Sequence, residues 1–253
     1  MKLLSQKFWI LAIAGFAMLV SQNAYAVSAA VQQVTGEVLV AKAADPDTWA
    51  TITGDTQLAS GDSVKTRTGT CSLVYSDQAT FAVQPNTLLT IEERTDAEDI
   101  KLLIGKIKGK VDHQNATQPF VVTTPAAVAT VRGTEVDFSF NDEGELTVDL
   151  HNGNIQVVND AAEMNVDLGG KKSISIKYDK EANTIHVKNS CDSDGEVTFN
   201  VLGSAYATSP CDEKEVNLST AEEGTQIPKD QKDDEEQPEN PDDLREPSTE
   251  FNA

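Results

Sequence analysis

The stretch EVDFSFNDEGELTVDLHNGNIQVVND, residues 135–160, decides the fold class. Val136, Phe138 and Phe140 alternate with polar neighbours, and so do Leu146, Val148 and Leu150. A period of two puts the apolar side chains of a strand on one face and the polar ones on the other. Asn141-Asp142-Glu143-Gly144 separates the two runs and Asn152-Gly153 follows the second. Both read as turns, because Asn and Gly accept the left-handed conformations that tight turns need. Residues 135–158 therefore predict a three-strand meander.

The same spacing extends in both directions. Upstream, Val34, Gly36, Val38 and Val40 alternate with polar residues, as do Cys71, Leu73 and Tyr75, then Phe81 and Val83, then Leu89 and Ile91. Nearer the opening stretch, Pro125 ends a strand over Phe120–Thr123 because it has no N–H for the ladder. Gly133, between Arg132 and Thr134, permits a bulge or bend where a short strand around Ala129–Val131 passes into the Val136 strand. Arg132 sits in acidic surroundings and is expected to pair with a carboxylate at a sheet edge, a ligand contact being the alternative. Downstream, Gly169-Gly170 reads as a hairpin tip, and Asp179–Asn183 turns the chain into Thr184–Lys188. Helical periodicity is nearly absent from Val31 to Phe199. The expected architecture is all-β: one domain, a β-sandwich or β-roll of many short strands.

The ends read differently. Met1–Lys7 carries two lysines and no acid and leads into the apolar run Phe8–Val20. That run is shorter than the roughly 20 residues of a membrane-spanning helix, and Ala24-Tyr25-Ala26 offers small residues for a signal peptidase. Residues 1–26 are expected to be a signal peptide cleaved after Ala26, which predicts a periplasmic or secreted protein. An uncleaved amino-terminal anchor is the alternative. The chain carries 20 basic and 41 acidic side chains, a net charge of −21, and residues 212–253 alone hold 15 acidic and 4 basic ones. This balance argues against a nucleic-acid partner, since phosphate binding needs clustered Lys and Arg. Residues 212–253 have too few apolar side chains to offset the cost of ordering and are expected to form an acidic disordered tail. Of three cysteines, Cys191 and Cys211 are expected to form a disulfide in an oxidising compartment, and Cys71, in an alternating segment, to be a buried core residue.

Two stretches resemble the FecR domain. The first is GDSVKTRTGTCSLVYSDQATFAVQPNTLLTIEE at 61–93, with its Gly-Asp turn, alternating strand, Asp-led turn and Pro-Asn pair. The second runs from IKLLIGKIKGKV at 100–111 through PFVVTTPAAVATVRGTEVDFSF at 119–140 to HNGNIQVVN at 151–159, with a Thr-Pro, an Arg-Gly-Thr and a Gly-containing hairpin. At Asp77-Gln78-Ala79 this sequence lacks the Gly that commonly follows the Asp. The resemblance implies an extracytoplasmic β-structured module for sensing or protein contact, often in regulators that span the bacterial inner membrane and control a sigma factor. The cytoplasmic anti-sigma segment and internal membrane helix of those regulators are not found here, so direct sigma-factor control is not expected. The domains expected are a FecR-like β domain at 27–160, a β extension with the disulfide loop at 161–211, and the tail.

Nothing in the sequence assembles a catalytic constellation. His113, His151 and His186 lie far apart, outside any metal-ligand spacing, and no nucleophile elbow or Gly-rich phosphate cradle occurs. Asp192-Ser193-Asp194-Gly195-Glu196 resembles the start of a calcium loop, but Gly203 stands at the twelfth position where Glu is required, which favours a plain turn. No cofactor is expected. The reading is a non-enzymatic, exported module that contacts a membrane-bound or envelope protein or senses a signal. The alternative is small-ligand or polysaccharide binding, for which Trp49, Tyr75, Tyr178 and Tyr206 are the available stacking rings. Calcium and glycan are the ligands left open.

Overall fold

The structure is a computed structural model that describes residues 27–75, 79–93, 97–111 and 119–221. The expected signal peptide, His113, the turn at Asp77-Gln78 and residues 222–253 lie outside the described residues. Among the described residues eighteen strands form one continuous hydrogen-bonded sheet, folded over into two layers. Most of it is built from passes of chain that each run through both layers. The first passes are β1 (Val27–Thr35) with β2 (Val38–Lys42), β3 (Asp45–Ile52) with β4 (Thr56–Ala59), β5 (Ser63–Thr66) with β6 (Thr70–Tyr75), and β7 (Ala79–Val83) with β8 (Leu88–Glu93). β9 (Glu98–Val111), β11 (Val128–Phe140) and β12 (Glu145–Asn159) are long strands that make the passage unbroken, and β10 (Phe120–Thr123) is a short insert. The last passes are β13 (Met164–Gly169) with β14 (Lys172–Asp179), β15 (Thr184–Asn189) with β16 (Val197–Val201), and β17 (Ser204–Thr208) with β18 (Glu213–Asn217).

The register fixes two layers. Layer A runs β4-β1-β6-β7-β9-β11-β12-β14-β15-β18, through the carboxyl-terminal half of β9 and β11 and the amino-terminal half of β12. Layer B runs β3-β2-β5-β8-β9-β10-β11-β12-β13-β16-β17, through the other halves. Every pairing is antiparallel except β9 with β10. Strands that change sheet through bends or bulges make the corners of such packings. Here the crossings fall on two lines at opposite ends of layer A. Phe140 pairs with Gly105 at one end and Glu135 with Lys110 at the other. The first ridge carries the crossings up to Gly105. The second carries those of β11 and every later pass.

This arrangement corrects two expectations. Asn152-Gly153 does not end a strand: β12 continues through it to Asn159, so 135–158 form two bent strands rather than a three-strand meander. Gly169-Gly170 is not a hairpin tip either. β13 pairs with the second half of β12 and β14 with the first, so the two are successive halves of one pass lying along β12. Folding also continues past residue 211, since Glu213–Asn217 form β18 and a short helix, Leu218–Ala221, follows. Asn141–Gly144 is a turn as expected, with the Asn141 side-chain oxygen accepting from the Glu143 and Glu145 backbone N–H groups at 3.1 and 2.9 Å.

The alternating residues meet between the layers. Leu73, Phe81, Ile91, Leu102, Ile107, Phe138, Leu146, Val148, Ile176 and Val187 are all fully buried, each contributing about 1.5–3 kcal/mol of hydrophobic stabilisation. Cys71 is buried in this core, as expected. Tyr75, Phe81 and Phe120 form an aromatic cluster, with Tyr75 edge-on to Phe120 at 5.0 Å between ring centres. A Cβ on Gly109 would come within 2.7 Å of the Phe81 ring, so β9 has no side chain there and lets the ring in.

Candidate functional site

Of the residues singled out by sequence, Arg132, Gly133, Thr134, Asn152 and Gly153 gather on the second ridge, while Pro125 lies away from it at the far end of the β10–β11 hairpin. β11 shifts register between Arg132 and Glu135, which makes Gly133-Thr134 the bulge, and Gly133 has φ +60°. Directly across, Gly153 has φ +99°, and a Cβ on it would stand 2.5 Å from the Gly133 carbonyl oxygen and 2.7 Å from the Thr134 methyl. The two bends thus close on each other with no space for a side chain, and the Gly170 N–H donates to the Gly153 carbonyl at 3.3 Å to bring in the next pass. Thr134 is buried, whereas Arg132 and Asn152 are exposed. Pro125 is exposed in the turn after β10, which the Thr124 hydroxyl closes by donating to the Ala127 carbonyl at 2.9 Å.

Two further crossings complete that ridge. The chain between β15 and β16 and the chain between β17 and β18 are joined by the Cys191–Cys211 disulfide, as the spacing led us to expect. Asn189 lies buried beside it and donates to the Gly195 and Thr208 carbonyls at 3.1 and 2.9 Å, tying both crossings together. The Asp192–Glu196 segment is the first of them. Ser193 is its buried anchor, donating to the Ser173 carbonyl, while Asp192 and Asp194 are exposed. Among the described residues no group of three or more His, Cys, Asp or Glu is gathered to hold a metal.

Arg132 departs from expectation. β11 lies between β10 and β12, so Arg132 is not at a sheet edge, and no carboxylate of the described residues lies within ion-pair distance of it. It faces outward over a groove of about 550 Å³ on layer B, lined also by Thr130, Asn154, Gln156, Asp167 and Gly169. On layer A some charges are paired instead. Asp137, nearly buried, meets Lys108 at 3.0 Å, Lys106 at 3.4 Å and His151 at 3.6 Å. His186 meets Glu213 at 3.0 Å on the β15–β18 pair, so His151 and His186 stand on different strands, in separate ion pairs.

Sequence reasoning read Gly61-Asp62 as a turn without assigning Asp62 its role. Its carboxylate is buried and accepts from the Ala43 and Ala59 N–H groups, both at 2.9 Å, and from the Lys42 ammonium at 2.7 Å. Burial pushes its pKa up, but the Lys42 contact and the two backbone donors outweigh burial and hold it below the usual carboxylate range. The Cys71 thiol has only burial acting on it and is pushed up to about 12, so it stays protonated and unreactive. Of the stacking rings, Tyr75 is wholly buried and unavailable to a ligand. Trp49 is half-buried with the Lys65 ammonium 5.8 Å from its centre, and Tyr206 stacks on Phe199 at 5.7 Å.

Four strands have a partner on one side alone among the described residues: β3, β4, β17 and β18. β3 carries Pro46 and two aspartates, and β18 reads EKEVN, features that discourage strand addition. β4, TQLA, lacks both charge and proline, but its Gln57 carbonyl already accepts from the Lys42 ammonium at 2.9 Å; β17, SAYAT, has neither charge nor proline. It joins β16 through the two-residue turn Leu202-Gly203, both residues at positive φ. Ser204 and Tyr206 then bond inward to β16, and Ala205 and Ala207 point their N–H and carbonyl groups to the open side. No helix among the described residues is long and apolar enough to cross a membrane.

No curated protein matches the chain. Two crystal structures of a protein provisionally named an anti-sigma factor, from Parabacteroides distasonis ATCC 8503, are similar to it. They have 14% and 15% identity, with TM-scores of 0.42 and 0.41. The likeness covers 58% of this chain in both cases, and 59% and 58% of the other, so it spans little more than half of either protein. The match that bears on identity starts at the Asp62 corner and stops in the second half of β12, taking in the bends at Gly105, Gly133 and Gly153: residues 62–156 match the FecR family model, described as FecR protein.

Proposed function

We propose that this chain is an exported, non-enzymatic FecR-like module that makes a protein contact in signalling at the bacterial envelope. The FecR match over residues 62–156 carries this reading. In support, the matched residues build a double-layered scaffold, and their glycines and buried polar groups account for backbone geometry rather than for a reacting centre. β17 is the edge through which the contact is made. Its uncharged, proline-free backbone can accept an extended segment of a membrane-bound or envelope partner by strand addition.

Ala205→Pro and Ala207→Pro test this without touching the internal ladder, because each removes an outward N–H. A photo-crosslinker at Thr198, beside the edge, should trap a discrete adduct in intact cells that Ala207→Pro abolishes. An adduct that survives both proline variants, or none at all, would contradict the edge. Export is tested separately: mass spectrometry of the envelope fraction should find a mature chain starting at Val27. A polysaccharide reading has its own observation, the groove at Arg132.

A further inference from the structure

The outer face of layer B between β11 and β13 holds polar side chains that have no partner among the described residues. Register sets them in two rows. Arg132 pairs with Asn154 and Asn154 with Gly169, while Thr130 pairs with Gln156 and Gln156 with Asp167. Directly opposed side chains stand about 5 Å apart, so the six positions form a patch roughly 10 Å across. Gly169 leaves one position without a side chain, and a Cβ there would come within 2.9 Å of the Asn154 side-chain oxygen that leans over it. Beside the patch on β13, the Asn165 side-chain oxygen is shielded from solvent and has no donor among the described residues. Such an orphan acceptor carries a cost unless a donor reaches it.

The charges select the ligand. Arg132 and Asp167 are at opposite corners and do not pair with each other. A carboxylate would be drawn to the guanidinium, which offers a planar fork of donors. A bare anion filling the groove would also face Asp167 and a chain of net charge −21. Hydroxyl groups suit the remainder: amides both donate and accept, and Asp167 accepts from neighbouring hydroxyls. We propose that this groove binds a carboxylate-bearing sugar, with Arg132 taking the carboxylate and Asn154, Gln156 and Asp167 the ring hydroxyls. The site is separate from the β17 edge and goes beyond the docking role, so either can fail while the other stands.

The test is a titration of the intact ¹⁵N-labelled chain with digalacturonate, neutral digalactose and acetate, followed by NMR. Digalacturonate should shift the amides of residues 130–132, 154–156 and 167–169 saturably below about 10 mM, at least tenfold more tightly than either control. Arg132→Ala should weaken it tenfold or more, Arg132→Lys should restore part of the loss, and Asp167→Asn should weaken both sugars but not acetate. The proposal is overturned by the absence of saturation, by shifts centred elsewhere, by equal affinity for acetate or digalactose, or by an Arg132→Ala variant that binds unchanged.

Discussion

The two lines along which strands change layer are held in different ways. On the first ridge, at Gly69 and Gly105, backbone meets backbone. A Cβ on Gly69 would stand 2.5 Å from the Thr35 carbonyl oxygen and 2.7 Å from Glu37, and one on Gly105 would stand 2.5 Å from the Thr87 Cα. Side chains fill the gaps, the Thr87 hydroxyl accepting from the Lys106 N–H at 3.0 Å and the Thr66 hydroxyl from that of Thr87 at 2.9 Å. The second ridge begins the same way at Gly133 and Gly153, but its last crossings have no further pass beyond them. There the disulfide and Asn189 take over. On the second ridge the interior crossings at Gly133 and Gly153 are fixed by lack of room, and the outermost pair by a covalent bond.

The contrast can be broken most forcefully at Gly105. At φ +104° and without space, Gly105→Ala should cost about 4 kcal/mol, combining left-handed strain with overpacking. Denaturant titration showing a loss below about 1 kcal/mol would mean the ridge yields freely. Next comes the staple. Replacing Cys191 and Cys211 together by Ser should cost about 3 kcal/mol, the value expected for a loop of this length. An unchanged midpoint would remove the disulfide from the account.

Asp62→Asn should follow at about 2 kcal/mol at pH 7, since a buried charged acceptor of three donors is lost. Its folded pKa lies below the unfolded value of about 3.9, so the stabilisation is complete above that value and is lost as pH falls through the lower folded pKa. The gap between wild type and variant should therefore close under acid conditions; a gap that widens there would reverse the assignment. The smallest effect belongs to a glycine off the ridges. Gly144 has φ +78° in an open turn with nothing within 4 Å of a Cβ, so Gly144→Ala should cost about 1 kcal/mol, strain alone.

Much of the fold was legible because burial writes itself at every second residue. Leu146, Val148 and Leu150, or Ile174 and Ile176, alternate in sequence and are buried in the structure. The bends were legible in position but not in kind. Asn152-Gly153 and Gly169-Gly170 have the composition of hairpin turns, and only the pairing of β12 with both β13 and β14 shows that the chain continues forward there instead of reversing. A positive φ serves either purpose, so local chemistry cannot distinguish a turn from a corner. Arg132 misled for a similar reason: acidic neighbours in sequence alternate to other faces or strands, and the residues that share its groove, Asn154 and Asp167, come from later passes. The Asp62 corner could have been anticipated from Gly61-Asp62, since a short carboxylate beside a turn commonly accepts backbone N–H groups. Its partners Lys42 and Ala43 lie on another hairpin and were not predictable.

Hydrogen exchange on the oxidised and reduced chain compares the two ridges most directly. Reduction should raise exchange in β15–β18, residues 184–217, while β9, β11 and β12 keep their protection, because close-packed crossings need no covalent bond. Uniform loss of protection across residues 62–156, or no change in either region, would contradict the account.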